Sequence, residues 1–288
     1  MTGAGRGIGR AHALLLAERG ARVAVNDLGG SMEGVGEDTE PASRVASEIV
    51  AAGGTAIADT SDVATATGAQ ALVESAVERW GRLDIVVNNA GIIRWAGFPD
   101  ADSDNLMSHF AVHVGGSFNT ARASWPHMVE RGYGRIIMTT STGMFGLPNN
   151  VSYATAKAGV VGLTRSLSTA GAAHGIKVNA IAPAAMTRMA GAPEGERDPQ
   201  MSPSLVAPIV ALLAHETCPV SGEIYAAGGG RFARIFIAST RGYVDTASEA
   251  PTIEDVAEHW TTINDESGYD VPEDLTAWSA AFMRHLRE

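Results

Sequence analysis

The sequence predicts an α/β fold, a doubly wound parallel sheet with helices on both faces and three layers in all. Three observations carry that expectation. Strand-like and helix-like segments alternate along most of the 288 residues. The strand-like segments are near-continuous apolar runs, as expected of parallel strands buried on both faces. The residues able to do chemistry fall where strands end, the edge at which such sheets hold their ligands.

Taken in order, the glycine-rich stretch Thr2–Gly9 leads into a helix over residues 8–19 that stops at Gly20. A glycine turn opening a helix is suited to phosphate, because the backbone can approach closely and the first N–H groups are unpaired. Ala21–Asn26 is a β-rich run ending on Asp27, and Gly29–Gly36 has the composition of a flexible loop. Pro41–Ala52 reads as a helix, with Pro41 tolerated in its first turn. Thr55–Ala58 is a weak strand. Ala66–Trp80 is a helix stopped by Gly81, and Leu83–Asn88 is a buried strand. Asp102–Arg131 is mostly helical, with Gly115-Gly116 inside it and a new turn or kink at Pro126. Arg135–Thr140 is a strand, Val151–His174 a long helix, Ile176–Ile181 a strand and Pro203–His215 a helix. Ala190–Pro199 has the composition of a mobile lid. Gly222–Ala227 is expected to be the last strand, since the alternation stops after Gly228-Gly229-Gly230. Residues 1–230 therefore read as the sheet domain. Residues 231–288 read as an extension packing on it or on a subunit partner, with apolar residues at helical spacing over Ile253–Ile263.

The totals exclude several classes of function. A net charge of −11 argues against nucleic acid, although a nest of backbone N–H groups still binds a phosphate-bearing ligand on an acidic protein. The single cysteine, Cys218, excludes an intrachain disulfide and a cysteine metal site. The eight histidines form no pair backed by a carboxylate, so no metal is expected. There is no secretory signal and no apolar run of about 18 residues, so the expectation is a cytoplasmic location without membrane contact.

Four motifs stand in order: TGAGRGIG at 2–9, NNAG at 88–91, Tyr153-x-x-x-Lys157, and VNAIAP at 178–183. Together they resemble the short-chain dehydrogenase/reductase family over about residues 1–230, which implies a Rossmann-like sheet. The segments VNDLGG (25–30), VHVGGSF (112–118), GRIIMTTS (134–141), HETC (215–218) and TIEDVAEHW (252–260) are similar to the dehydrogenase part of the peroxisomal multifunctional β-oxidation enzymes of type 2. That subgroup oxidises (3R)-hydroxyacyl-CoA. The resemblance implies NAD as cofactor and hydride transfer between a secondary alcohol or ketone and the nicotinamide, with a 3-hydroxyacyl-CoA as substrate. A hydroxysteroid or other lipophilic alcohol is the alternative substrate. A non-catalytic dinucleotide-binding protein is the alternative of another class. The family also implies a homodimer or homotetramer, to which the long helices over 102–131 and 151–174 lend support.

The chemistry falls on few residues. Tyr153 and Lys157 are four apart on a predicted helix and face the same way. A free tyrosine titrates at about 10, and a nearby ammonium favours its phenolate as a base for the alcohol proton. A hydroxyl is needed to hold the substrate oxygen. Matching the strand RIIMTTS reaches Ser141, whereas counting back from Tyr153 reaches Thr140; Ser141 is preferred, since strand register is rigid, and Thr140 stays open. The family's asparagine three residues ahead of a glycine is His113 here, ahead of Gly116, so its part in a water relay from the lysine is in doubt. Asp27 closes the second strand, where a carboxylate binds the adenosine ribose and repels a 2′-phosphate. Arg6 is placed to meet either the pyrophosphate or a 2′-phosphate. By resemblance the cofactor loop is Gly3, Arg6, Gly7, Ile8 and Gly9. Asp62 and Val63 flank the adenine, and Asn89, Ala90 and Gly91 line the adenosine side. Pro183 and Thr187 stand at the nicotinamide, with Pro183-Ala184 replacing the family's Pro-Gly. A phosphate loop of this kind follows a strand, and none precedes it here. The family has Val-Thr-Gly where this chain has Met1-Thr2-Gly3, and a valine codon GTG can serve as a bacterial start. The expectation is a further strand of about ten residues upstream; the competing one is a rearrangement in which neighbouring strands close the gap.

Overall fold

Parallel strands, the central ones largely buried, set the frame of this computed structural model, which describes residues 1–191, 198–246 and 250–286. The glycine turn enters α1 (Gly7–Glu18), followed by β1 (Arg22–Asn26), α2 (Glu40–Ala51) and β2 (Thr55–Asp59). Then come α3 (Ala66–Trp80), β3 (Ile85–Asn88), α4 (Ser103–His109), α5 (Gly116–Arg131) and β4 (Gly134–Thr139). The series ends with α6 (Val151–Gly171), β5 (Ile176–Pro183), α7 (Ala207–Ala214), β6 (Ile224–Gly228) and β7 (Arg231–Ile235). β3, β4, β5 and β6 pair in parallel, with Ile85 opposite Arg135, Gly134 opposite Ile176 and Ala180 opposite Ile224. This is the doubly wound, helix-covered sheet that the alternation predicts. Leu16 of α1 and Val210 and Leu213 of α7 pack on Val87, Ile137 and Ile181 of the sheet.

Two element boundaries correct the expectation. Gly222–Ala227 does not hold the last strand: β7 follows and lies beside β6. Gly229 and Gly230, with φ of +56° and +74°, form the two-residue turn that lets it run back. Glycines that read as an end are a hairpin. The segment 102–131 does not restart at Pro126, which lies inside α5. Its irregularity is one π-helical turn, Phe110–Gly115, between α4 and α5. The stretch Gly29–Gly36 is a loop with hydrogen bonds of its own. Asp38 N–H closes its base on Leu28 O, and Ser31 N–H bonds Val35 O. The lid expected at 190–199 falls largely on residues 192–197, outside the described residues.

β1 and β2 form a separate parallel pair. Residues 1–4 stitch it to β3 at one end only. Asn26 N–H donates to Met1 O, Ala4 N–H to Asn26 O, and Thr2 N–H to Val87 O, all at 2.8–3.0 Å. Beyond that stitch the strands do not close on each other. A cavity of about 320 Å³ separates them, lined by Leu16, Val23, Ala76, Trp80, Ile85 and Val87 among others.

The chain divides into two units, Met1–Arg234 and Ile235–Glu288. The second contains β8 (Ser239–Thr240), α8 (Ile253–Glu258), α9 (Trp260–Ile263), β9 (Tyr269–Asp270) and α10 (Leu275–Phe282), with β8 and β9 antiparallel. A capping box between Thr252 and Asp255 starts α8. The single helix expected over 253–263 breaks at His259, whose ring bonds Asp255 O and stacks on Tyr243 at 3.7 Å.

Candidate active site

The glycine loop is packed so tightly that side chains have no room. A Cβ on Gly9 would overlap the Gly3 carbonyl oxygen, and one on Gly3 would stand 2.8 Å from Ala90 Cα. Gly7 differs, with a φ of +51° and its nearest neighbour, Thr187 Cγ2, 3.5 Å from a built Cβ. Arg6, the N-cap residue of α1, offers no side-chain cap, so the first N–H groups at Gly7, Ile8 and Gly9 stay available to an anion. Asp27 accepts from Gly5 N–H at 2.9 Å through one oxygen and from Gly29 N–H at 2.8 Å through the other. Arg6 donates to the carbonyl oxygens of Gly30 and Gly29. Asn89 turns its amide onto Gly3 O at 2.9 Å and Thr2 O, so its side chain builds the loop. Thr2 Oγ1 accepts from the N–H groups of Asn89 and Ala90. Asp62 accepts from Ala64 N–H, and Asn119 of α5 holds the carbonyls of Val63 and Ala64. Gly91 lies against the His113 ring. Pro183 ends β5, and Ala184 N–H is pinned to Ala227 O.

The second cluster lies on α6 and the end of β4. Asn150 caps α6 by accepting from Tyr153 N–H at 3.2 Å, which sets the first turn on which the tyrosine stands. Lys157, 4% exposed, donates to Thr139 O at 2.8 Å, its Nζ 5.7 Å from the centre of the Tyr153 ring. Burial brings the lysine down to about 7. Burial also raises the tyrosine, with a hydrogen bond from the Ser141 side chain working the other way. Desolvation of both groups therefore outweighs the lysine's expected support of the phenolate in this geometry.

The two candidate hydroxyls part company. Thr140 points inward and donates to Lys157 O at 2.6 Å. Ser141 points to Tyr153 and accepts from Gly143 N–H at 3.0 Å. His113 is buried, with Nε2 on Ile92 O at 2.9 Å and Nδ1 without a partner. It meets Tyr153 edge-on at 5.4 Å, and burial, then Lys157, hold it well below its ordinary value.

Sequence reasoning did not single out His109. It stacks on His113 at 6.0 Å and meets Tyr153 edge-on at 6.1 Å. Its Nε2 accepts from Arg94 N–H at 3.1 Å, so Nδ1 carries the proton and donates to Asn105 O. The available signal was its place four residues before His113. Asn150 was missed too, although its position three residues before Tyr153 is the spacing of an N-cap.

A family model described as short chain dehydrogenase matches residues 1–197. A short-chain type dehydrogenase/reductase of Mycobacterium tuberculosis is 40% identical over 272 residues, covering 93% of this chain and 94% of its own. The mouse peroxisomal multifunctional enzyme type 2 is 39% identical over 292 residues; the match takes in 100% of this chain and 39% of that protein. Among solved structures, a short chain dehydrogenase from Mycobacterium avium superposes with a TM-score of 0.81 at 35% identity, covering 92% of this chain and 94% of that one.

Proposed function

The chain belongs to the short-chain dehydrogenase family, and from that premise we propose an NAD-dependent dehydrogenase acting on a 3-hydroxyacyl-CoA. It is an oxidoreductase of CH–OH groups. The observation that carries the alcohol chemistry is the grouping of the Tyr153 phenol with the Ser141 hydroxyl and the buried Lys157. Ser141 holds the substrate oxygen, and the Tyr153 oxygen takes the alcohol proton. Lys157 Nζ, anchored on Thr139 O, stands beside the phenol with a proton that burial has made easier to lose. His113, held neutral, positions the wall behind the tyrosine ring.

The glycine loop fits a dinucleotide, since the N–H groups opening α1 are uncapped and the missing side chains of Gly3 and Gly9 let the loop pack closely on Ala90 and on itself. A bound nicotinamide supplies the hydride acceptor. Gly7, Ile8 and Gly9 would hold its phosphates and Asp27 its adenosine ribose. Asp27 favours NAD over its 2′-phosphorylated form through charge. Arg6 donates to the carbonyls of Gly29 and Gly30, which turns its guanidinium toward that loop. The 3-hydroxyacyl-CoA assignment draws on the likeness to peroxisomal multifunctional enzymes of type 2. We assign a homodimer or homotetramer on family grounds.

Turnover of short 3-hydroxyacyl-CoA and steroid alcohols with NAD and NADP tests the reading. Efficient oxidation of the thioester with NAD is expected. Tyr153→Phe should lower turnover about 10²–10⁴-fold while keeping cofactor binding. Faster turnover of the steroid, or equal efficiency with both cofactors, overturns the corresponding half. A Tyr153→Phe variant within tenfold of the parent overturns the mechanism.

A further inference from the structure

Two loops flank Tyr153, and each lifts large apolar side chains into solvent. One follows Ser141, where Phe145 closes the turn Thr142–Phe145 and is 72% exposed. The other follows Gly91, with Trp95 59% and Phe98 80% exposed. Both loops are anchored beside the tyrosine. A Cβ built on Gly143 would stand 3.4 Å from Tyr153 Cε1. On the other side, the backbone of Arg94 is held by His109, whose ring meets Tyr153 edge-on. The loops also pack on each other, since a Cβ on Gly97 would stand 3.0 Å from Pro148 O. Single exposed apolar residues are ordinary. Three aromatic rings on two mutually packed loops around one acid–base group form a patch that calls for a partner.

We propose that Trp95, Phe98 and Phe145 form the landing rim for the apolar acyl tail of the substrate. This rests on the reading of Tyr153 as the group that takes the alcohol proton. The occupant follows from the anchoring. Because the two loops are tied to Tyr153 through Gly143 and His109, whatever covers the rim also covers the tyrosine. A second protein surface there would shut the alcohol out, whereas the substrate's own tail brings it in. Aromatic rings suit the task, being large, rigid and apolar.

The test is a chain-length series. KM for 3-hydroxyacyl-CoA esters of about 4, 8 and 12 carbons should fall about two- to fourfold per added methylene, fourfold being the limit for full burial. In the double variant Trp95→Ser, Phe145→Ser the ratio of kcat/KM between the longest and shortest esters should drop by at least about tenfold. An unchanged ratio overturns the proposal. Saturated fatty acids of the same lengths, titrated calorimetrically without cofactor, separate this from the chemistry. If no thioester is turned over, the reading of function falls. Binding that tightens with length in the parent but not in the double variant would still support the rim, and length-independent binding would overturn it. Loss of a dimer in the double variant by sedimentation, with the ratio unchanged, would make the rim a contact between copies and overturn it as well.

Discussion

Thr140 and Ser141 are chain neighbours given opposite duties by the backbone. Thr140 bonds a buried carbonyl of α6, and Ser141 faces the tyrosine. Thr140→Ala should therefore cost about 1–3 kcal/mol of stability with a modest change in kcat. Ser141→Ala should lower kcat about 10²-fold or more with little change in the urea midpoint. Reversal of the two outcomes would reassign the hydroxyl. His12 of α1 makes a second prediction. It is 0% exposed, neither ring nitrogen has a partner, and burial lowers it to about 4. The unfolded chain takes up a proton below about 6.5 that the folded chain refuses. Stability is thus full above that value and falls as pH drops toward 4, by about 3 kcal/mol for this group. His113 adds to the loss in the same window. His12→Leu should flatten part of the decline, read as urea midpoints at pH 7.5 and 5. A decline as steep as the parent's would place its cause elsewhere. The Tyr153–Lys157 pair was legible because four-residue spacing puts two side chains on one helix face. The choice between adjacent hydroxyls was not, because it turns on where the strand ends, which two candidate alignments placed one residue apart.

At the scale of elements, Arg135 shows how β4 holds two helices. Its guanidinium, in a residue 4% exposed, donates to the carbonyl oxygens of Gly134, Gly175, His215 and Glu216, and lies 4.2 Å from the centre of the Tyr133 ring. His215 is the C-cap of α7, and Gly175 follows the turn that ends α6. A cation among terminal carbonyls satisfies acceptors that a helix leaves unpaired. Arg135→Met keeps much of the volume and strands those acceptors, so it should cost about 3 kcal/mol in chemical denaturation. A loss below about 1 kcal/mol would mean that water replaces the guanidinium freely. Nothing in RIIMTTS signals this, since an arginine at a strand start reads as solvated until its neighbours in space are known. The strands themselves were legible because burial on both faces demands unbroken apolar runs such as Ile136–Met138. The π turn at Phe110–Gly115 was not, because one widened turn leaves the helical apolar spacing nearly unchanged. β7 was hidden because a glycine triplet can end a domain as readily as it can turn a hairpin.

The whole molecule turns on the division between β1–β2 and the five-stranded sheet. Residues 1–4 join the two at the end that carries the glycine loop, and so hold that loop in place. The rest of the boundary is the cavity of about 320 Å³ between β1 and β3, with Leu16 and Trp80 among its walls. The two strand edges that face across it suit an extended parallel segment. Each residue added there gains ladder bonds of about 0.5–1.5 kcal/mol and side-chain burial of about 1.5–3 kcal/mol. Those gains exceed a backbone ordering cost of about 1–2 kcal/mol. Fusing five β-branched apolar residues directly ahead of Met1 should therefore raise Tm by roughly 10 °C, at about 2–4 °C per kcal/mol for a protein of this size. A Gly/Ser extension of equal length is the control and should leave Tm where it was. Trp80 supplies a local reading, because its emission should shift to the blue when the cavity fills. Equal melting of the two fusions, with Trp80 emission unmoved in both, would show that β1 and β3 cannot receive a strand and that the gap is a property of this sheet.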